Sequence, residues 1–428
     1  MLDLKHVLLI TYYWPPAGGA GVHRWLRFSK FFKENGWQMH VYSPSNAQYP
    51  IIDEGLVHEV SPDLIHLQHP IFEVQQLIAQ KAGFGKGSGV NTTKKKSWIQ
   101  RSMIWVRGNL FIPDARVFWI RPSVKRLKAY LKEHPEITHI ISTGPPHSVH
   151  VIARNLKRSF PNLNWMADFR DPWTQIDFYQ DLLPGKWADQ RQKEMEKSVL
   201  TEADSVITVS EDCATGLQEI GKRPVEVITN GFIFPDFDPR SKQLSEKFTI
   251  THFGSMAQSR NPYALWKALS ELVTENQALA NALKIELFGN VDNSVLESIQ
   301  AHGLNPFFDG VQTVKHHESI ELQQTRSLLL LVANNTPNVK GILTGKFFEY
   351  LGAKRPILGI GASDSDLANV MKETNSGILI DFEAVETMKE TILHYFDLWQ
   401  KRDLYVELKN LENYSSQNIA QHIIRLLK

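Results

Sequence analysis

The chain has a single cysteine, Cys213, among its 428 residues. One cysteine can form neither an intrachain disulfide nor a zinc site built on several thiolates, and such scarcity is typical of proteins in a reducing compartment. A charge imbalance is also missing, because 47 basic and 46 acidic side chains leave a formal net charge of +1. No global field attracts nucleic acid, so we expect no nucleic-acid partner.

Long apolar runs are absent as well. The most apolar short run, residues 328–333, has the length of a strand, far below the roughly 20 residues that cross a bilayer. The apolar stretch at residues 7–10 is too short for a signal-peptide core, and it leads directly into a proline- and glycine-rich loop. We therefore expect a cytoplasmic protein that at most binds the inner face of the plasma membrane peripherally.

Short β-rich runs alternate with helical patterns along most of the chain, in two series separated by a Pro- and Asp-rich stretch at residues 230–241. This alternation predicts an α/β protein whose parallel sheets are covered by helices on both faces. We expect two doubly wound, Rossmann-like domains that face an interdomain cleft, at residues 1–235 and 242–400. Residues 401–428 would form C-terminal helices able to pack back on the first domain. Ligands of such sheets bind beyond the carboxyl ends of the strands.

One stretch breaks the alternation. Residues 81–97 contain four Gly and five Lys and predict a mobile basic insert in the first domain. Residues 94–119 continue with a lysine run and then mix aromatic and aliphatic residues with Arg101, Arg107 and Arg116. A basic amphipathic surface of this kind can lie on an anionic membrane. A helix packed against its own domain, with its arginines in solvent, fits the same pattern.

A glycine loop lies between the first predicted strand and the first predicted helix. Gly18, Gly19 and Gly21 would let the backbone approach a ligand closely, and the free N–H groups at the helix start suit a phosphate. A dinucleotide-binding fingerprint does not fit, because Arg24 stands at its third glycine position and no acidic residue ends the next strand. A purely structural turn is the alternative interpretation.

Two further groups of polar residues follow strands of the same predicted sheet. His147 would lie near a helix start, where a neutral imidazole is favoured and can bind a sugar hydroxyl, and His150 is the competing candidate. A surface or structural role fits either histidine. Asp168, Arg170 and Asp171 follow the next strand, where they could orient a polyol or could form an internal ion pair that holds the loop.

The most specific pattern starts at Thr344 and predicts a loop, a helix, a tight turn and a strand. The N–H groups of Gly345 and Lys346 would point from the helix start towards an anion. Glu349, one turn further on, could accept hydrogen bonds from a ribose diol, and a solvated glutamate is the alternative. These features predict an anion site at the start of this helix.

The first strand of the second series carries a related signal. It ends at Gly254 and Ser255, and Arg260 follows as a cation suited to a diphosphate. His316 and His317 would point in different directions on a helix, so we expect no metal site.

The order of these motifs resembles the retaining family-four glycosyltransferases, which have the GT-B fold. The resemblance spans nearly the whole chain, and residues 347–351 are its most specific part. It implies an enzyme that transfers a hexosyl unit, with retention, from a nucleotide-diphosphate sugar bound mainly by the second domain. The acceptor, held mainly by the first domain, would be a glycan or a lipid-linked molecule of cell-envelope or polysaccharide biosynthesis. Neither a cofactor nor a metal ion is implied.

The resemblance also implies roles for single residues. Glu349 matches the second glutamate of the family's E-x7-E motif, which binds the nucleotide ribose, and the backbone of Gly345 and Lys346 matches the donors to the diphosphate. Arg260 matches a basic residue near the diphosphate, and His147 matches a histidine near the transferred sugar. The glycine loop matches one that approaches the same diphosphate.

The chain departs from the family pattern at two positions. Gly341 stands where the first glutamate of the motif would be, and Ser255 stands where an arginine often follows the strand-end glycine. The identity of the donor sugar cannot therefore be carried over. A sugar-nucleotide epimerase of the same architecture and a non-catalytic nucleotide-sugar binder are the alternative functions.

Overall fold

The computed structural model describes residues 4–73 and 98–427, so the basic insert expected at residues 81–97 lies outside the described residues. The chain divides into two compact units. The first unit contains residues 1–229 and 416–428, and the second contains residues 230–415. Among the described residues, no helix combines the length and the apolar character needed to cross a membrane.

The first unit is built on a parallel sheet with the strand order β3-β2-β1-β4-β5-β6-β7. Its strands are β1 (Lys5–Thr11), β2 (Trp37–Pro44), β3 (Ile65–His69), β4 (Ile137–Gly144), β5 (Asn164–Phe169), β6 (Ser205–Thr208) and β7 (Glu226–Val227). Its helices before residue 229 are α1 (Ala20–Ser29), α2 (Trp98–Leu110), α3 (Val117–Glu133), α4 (Ser148–Ser159), α5 (Lys186–Glu202) and α6 (Glu211–Gly221).

The second unit repeats this arrangement with a sheet in the order β10-β9-β8-β11-β12-β13. Its strands are β8 (Phe248–Phe253), β9 (Leu283–Phe288), β10 (Phe308–Gln312), β11 (Leu328–Val332), β12 (Ile357–Ile360) and β13 (Gly377–Ile380). Its helices are α7 (Tyr263–Glu275), α8 (Gln277–Ala282), α9 (Asn293–Ala301), α10 (His316–Gln323), α11 (Gly345–Ala353), α12 (Asp366–Thr374) and α13 (Val385–Gln400).

Each sheet lies between two hydrophobic layers. Successive side chains of a strand point to opposite faces, so Val7 and Leu9 of β1 pack in one layer while Leu8 and Ile10 pack in the other. The leucine run of β11 divides in the same way between the two layers of the second unit. Central strands buried on both faces need continuous apolar runs, which explains why these strands are recognisable in the sequence.

The last helix, α14 (Ser416–Leu426), belongs to the first unit although the second unit precedes it in the chain. Ile419, Ile423 and Ile424 of this helix are buried in the same layer as Trp25 and Phe28 of α1. The final residues thus complete the covering of the first sheet.

The strand orders locate the edges where ligands are expected. In both sheets the first strand of the unit lies beside the fourth, so the chain reverses its direction of winding between β1 and β4 and between β8 and β11. Doubly wound sheets bind ligands beyond the carboxyl ends of the strands at such a switch point. The predicted α/β class with two Rossmann-like sheets is confirmed.

Candidate functional site

The switch point of the second unit begins at Gly254, directly after β8. Its φ of 117° lies in a region that favours glycine, and its N–H donates to the Phe288 carbonyl at 2.7 Å. A Cβ added to Gly254 would lie 3.4 Å from Cε of Lys346. The side chain of Lys346 therefore passes over the end of β8.

The start of α11 leaves helix donors available beside this strand end. Thr344 is the N-cap residue, but its side chain makes no capping hydrogen bond, and within the described residues its buried Oγ1 has no hydrogen-bond partner. Nothing lies within 4 Å of a Cβ added to Gly345. Because the first N–H groups of a helix lack intrahelical partners and carry the positive end of the helix dipole, this helix start suits an anion.

Glu349 lies one turn into α11 and is buried, with 6% of its surface exposed. It accepts a hydrogen bond from Nζ of Lys346 at 2.8 Å, and its other oxygen is 3.2 Å from Nε2 of His316. The contact with His316, at the start of α10, was missed in the sequence because the two residues are far apart in the chain. The solvated-glutamate alternative does not fit this buried carboxylate.

Arg260 follows β8 in the 3-10 turn Gln258–Arg260. Its Nε donates to Oδ1 of Asn334 at 2.5 Å, and its NH1 donates to the Ser255 carbonyl at 3.2 Å. Asn334 comes shortly after β11, so this hydrogen bond joins the loops that follow the two switch-point strands. Burial lowers the pKa of Arg260 from its ordinary value, which lies far above neutral pH.

His252, on β8, lies close to both Arg260 and Lys346. The histidine is 3% exposed; its Nδ1 lies 3.0 Å from the Leu330 carbonyl, and among the described residues its Nε2 has no hydrogen-bond partner. Burial is the largest cause that lowers the pKa of His252 to about 4; the nearby charges of Arg260 and Lys346 act in the same direction, and the hydrogen bond with the Leu330 carbonyl opposes them. The structure thus brings the predicted residues Gly254, Arg260, Lys346 and Glu349 together.

The structure also shows the surroundings of Gly341 and Ser255, the two residues that depart from the family pattern. Gly341 ends the 3-10 turn Val339–Gly341 and is buried. Ser255 is exposed and offers its carbonyl to Arg260. Among the described residues that were predicted to bind the donor, Arg260 and Lys346 are therefore the cations at the end of β8.

The glycine loop of the first unit packs against the segment around residues 51–53. The N–H of Gly18 donates to the Ile51 carbonyl at 2.9 Å, and a Cβ added to Gly18 would lie 2.8 Å from Cγ2 of Ile51. Gly19 is the N-cap residue of α1 with a φ of 84°. A Cβ on Gly21 would lie 3.1 Å from the ring of Tyr13. Local packing and backbone geometry therefore account for these glycines, and phosphate binding by the loop remains a prediction.

His147 and His150 are buried beyond the end of β4. His147 is the N-cap residue of α4 and stacks on Trp173, with ring centroids 4.6 Å apart, while His150 stacks on Phe169 at 4.4 Å. Burial lowers the pKa of His147 well below its ordinary value and that of His150 to about 3. Both imidazoles are therefore neutral near pH 7. Within the described residues, Nδ1 of His147 and Nε2 of His150 have no hydrogen-bond partner.

Asp168 forms an internal ion pair, but its partner is Arg24 rather than Arg170. Two Arg24 nitrogens donate to its carboxylate at 3.1 Å each, and Trp25 and Thr143 donate to the same group. The loop is thus held partly by a residue 144 positions away. Sequence reasoning missed Arg24 because an arginine on an amphipathic helix is ordinarily solvated.

Arg170 and Asp171 differ in their surroundings. Arg170 donates to the carbonyls of Gly144, at 3.2 Å, Pro145, at 2.7 Å, and Gly21. It therefore ties the glycine loop to the turn that precedes His147. Asp171 is exposed. Orientation of an acceptor sugar by either residue remains a prediction.

No family model matches the sequence, and no curated protein matches it. Solved structures do match over nearly the whole chain. Sucrose-phosphate synthase from Thermosynechococcus elongatus matches with a TM-score of 0.62 and 14% identity, over 99% of this chain and 98% of that chain. A Staphylococcus aureus TarM mutant in complex with Fondaparinux, alpha-GlcNAc-glycerol and UDP matches with a TM-score of 0.61 and 11% identity, over 99% and 100%.

A third match is a Listeria monocytogenes protein proposed to be a UDP-N-acetylglucosamine 2-epimerase. Its TM-score is 0.54 and its identity 12%, over 99% of this chain and 96% of that chain. At such identities the similarity establishes the fold. The chain has the GT-B fold, as predicted.

Proposed function

We propose that the protein is a retaining glycosyltransferase that moves a sugar from a nucleotide-diphosphate sugar to a glycan or lipid-linked acceptor. One observation carries the proposal: Arg260, Lys346, the start of α11 and the buried Glu349 surround the carboxyl end of β8. Two cations and free helix N–H groups suit a diphosphate, and a carboxylate beside them suits a ribose diol. The UDP in the TarM complex supports a nucleotide ligand.

The proposed reaction exchanges two bonds on one face of the sugar. The bond from the anomeric carbon to the diphosphate oxygen breaks, and the acceptor oxygen bonds to the same carbon. The acceptor proton passes to the departing phosphate oxygen, so neither a dedicated base nor a metal ion is required. Negative charge grows on the diphosphate as it leaves, and Arg260, Lys346 and the α11 N–H groups would stabilise it.

The acceptor would be oriented by the first unit. His147 and His150 are neutral near pH 7 and have ring nitrogens free of protein partners in the part of the chain that the structure describes, so they could bind sugar hydroxyls. Arg170 and Asp171 complete this proposed surface. The proposal places the enzyme on the cytoplasmic side, in cell-envelope or polysaccharide biosynthesis.

Calorimetric titration of two variants tests the donor site. Glu349→Ala removes the proposed ribose acceptor, and Arg260→Ala removes a diphosphate cation. Each should weaken nucleotide-sugar binding by about 1.5–3 kcal/mol, which is tenfold or more. The affinity for inorganic pyrophosphate, which has no ribose, distinguishes the two roles. Arg260→Ala should weaken pyrophosphate binding more than Glu349→Ala does.

Matched controls come from the same unit. Glu390→Ala on α13 and Lys372→Ala on α12 remove exposed charges and should leave the affinity unchanged. Thermal melting of every variant checks that the fold is intact. Unchanged nucleotide-sugar affinity in both site variants would reject the donor site.

An epimerase is the second candidate, favoured by the similarity to the Listeria monocytogenes protein. An epimerase changes a free nucleotide sugar without an acceptor, whereas a transferase needs one. Incubation with labelled nucleotide sugars, with and without glycan acceptors, distinguishes the two. Epimer formed without an acceptor would support the second candidate, and binding without turnover would support a non-catalytic binder.

A further inference from the structure

Helix α2 is fixed to the first unit through one narrow face. A Cβ on Gly108 would overlap the carbonyl oxygen of Leu182, so the helix backbone lies directly on that turn. Asn109 is buried; it donates to the Leu183 carbonyl at 3.0 Å and accepts from the N–H of Gly185 at 2.7 Å. These contacts fix which side of α2 faces solvent.

The solvent side of α2 carries an apolar stripe. Met103, Val106 and Leu110 are 39%, 37% and 65% exposed. Their spacing of three and four residues places them on one face of the helix, opposite Gly108. An amphipathic helix normally buries such a stripe in its own domain, and this helix presents it outwards.

Large aromatic side chains extend the exposed apolar surface. Phe118 packs edge-on against Phe72 and Phe111, with ring centroids 6.0 and 5.9 Å apart. Trp187 lies at the start of α5, two residues after Gly185, whose N–H donates to Asn109 of α2. The exposed aromatics of this region are Phe72 (57%), Trp98 (77%), Trp105 (49%), Phe118 (49%) and Trp187 (70%). Exposed apolar side chains concentrated in one region in this way mark an interaction site.

Helices α2 and α3 carry a strong excess of positive charge. Residues 98–133, which form α2, α3 and their connection, contain eight basic and two acidic residues, whereas the whole chain has a net charge of +1. Arg101, Arg107 and Arg121 are exposed. The two acids are Asp114, which accepts hydrogen bonds from Ser148, and Glu133, which is exposed at the end of α3. Asp181, in the turn under α2, is a nearby exposed acid.

We propose that α2 and the surrounding aromatic residues form a docking surface for an anionic lipid bilayer. The apolar stripe would enter the boundary between headgroups and acyl chains, the tryptophans would lie at headgroup level, and the arginines would pair with lipid phosphates. A second copy of the chain is a poorer partner. A two-fold interface brings the same patch against itself, and like cations would face one another.

The surface does not depend on the proposed transferase activity, although it would hold the first unit beside a lipid-linked acceptor. Vesicle binding is measured without turnover, so the two proposals can fail separately. The full chain is centrifuged with phosphatidylcholine vesicles and with vesicles containing about 30% phosphatidylglycerol. We expect binding to the anionic vesicles that weakens as salt is raised, and little binding to the neutral ones.

The variant Met103→Glu/Leu110→Glu adds charge to the exposed stripe and should reduce binding about tenfold or more. Tyr263→Glu/Leu393→Glu changes two comparably exposed apolar residues of the second unit and should bind like the wild type. Melting curves verify folding. Equal anionic-vesicle binding by the stripe variant and the control, or no binding by the wild type, would overturn the proposal. A wild-type dimer that the stripe substitutions dissociate would overturn it too, because the surface would then join two copies.

Discussion

His252 is a buried sensor of charge at the end of β8. Its folded-state pKa of about 4 lies below the ordinary 6.5, mainly because burial disfavours the charged ring and also because Arg260 and Lys346 repel it. Between these pH values the unfolded chain binds more protons than the folded chain, so the stability contribution of His252 falls as pH falls from about 6.5 to 4. The full loss is roughly 3 kcal/mol.

An anion bound at this strand end should raise the pKa of His252. Pyrophosphate or a nucleoside diphosphate would offset the repulsion from Arg260 and Lys346, leaving burial as the opposing cause. NMR titration of the His252 ring signal with and without pyrophosphate measures the change, with the exposed His394 as reference. A His252 titration that saturating pyrophosphate leaves unchanged would argue against anion binding beside it.

Local spacing in the sequence was enough to place Gly345, Lys346 and Glu349 on one helix, because those residues lie within two turns. The contact of His316 with Glu349 joins residues of different elements, and the pairing of Arg24 with Asp168 joins α1 to β5. Such contacts depend on strand order, which helical and strand periodicities do not specify. The sequence therefore predicted the nearest members of each group but not their distant partners.

At the scale of elements, the start of α11 allows one backbone donor to be removed without changing the helix. Gly345 is the first helical residue, a position that tolerates proline because its N–H has no intrahelical partner. Thr344 before it has φ −75° and ψ 149°, the extended conformation that a following proline requires. The space beside Gly345 is open.

Gly345→Pro should keep the fold and weaken binding of a nucleoside diphosphate by roughly tenfold, because one N–H donor to the diphosphate is lost. Gly345→Ala is the matched control, since it fills similar space and keeps the N–H; its affinity should stay near that of the wild type. Calorimetry measures both affinities, and melting curves measure stability. Equal affinity of the two variants would mean that this N–H does not bind the ligand.

Two edge strands, β3 and β10, were not predicted from the sequence. The central strands β1, β8 and β11 are buried on both faces and read as apolar runs, whereas β3 and β10 lie at the ends of their sheets and alternate between exposed and half-buried residues. Because an edge strand is partly exposed to solvent, many of its side chains can be polar. Short polar sequences such as those of β3 and β10 therefore resemble loops.

At the scale of the whole molecule, each unit has its own sheet and its own pair of hydrophobic layers. The residues proposed to bind the nucleotide and diphosphate through Arg260, Lys346, Glu349 and α11 belong to the second unit. A ligand that binds only the folded chain stabilises it, by about 2.7 kcal/mol at a concentration 100 times its dissociation constant.

We therefore expect one of UDP-, GDP- or ADP-sugars, at saturating concentration, to raise the melting temperature by about 5–10 °C, since a unit of this size gains roughly 2–4 °C for each kcal/mol. Scanning calorimetry of the full chain measures the shift and, where two transitions separate, the unit that gains it. Lys346→Ala should lose most of the shift, and Lys372→Ala should keep it. Equal shifts with all three nucleotide sugars and with free phosphate would indicate a general anion effect, because a site that also binds the nucleoside must distinguish them.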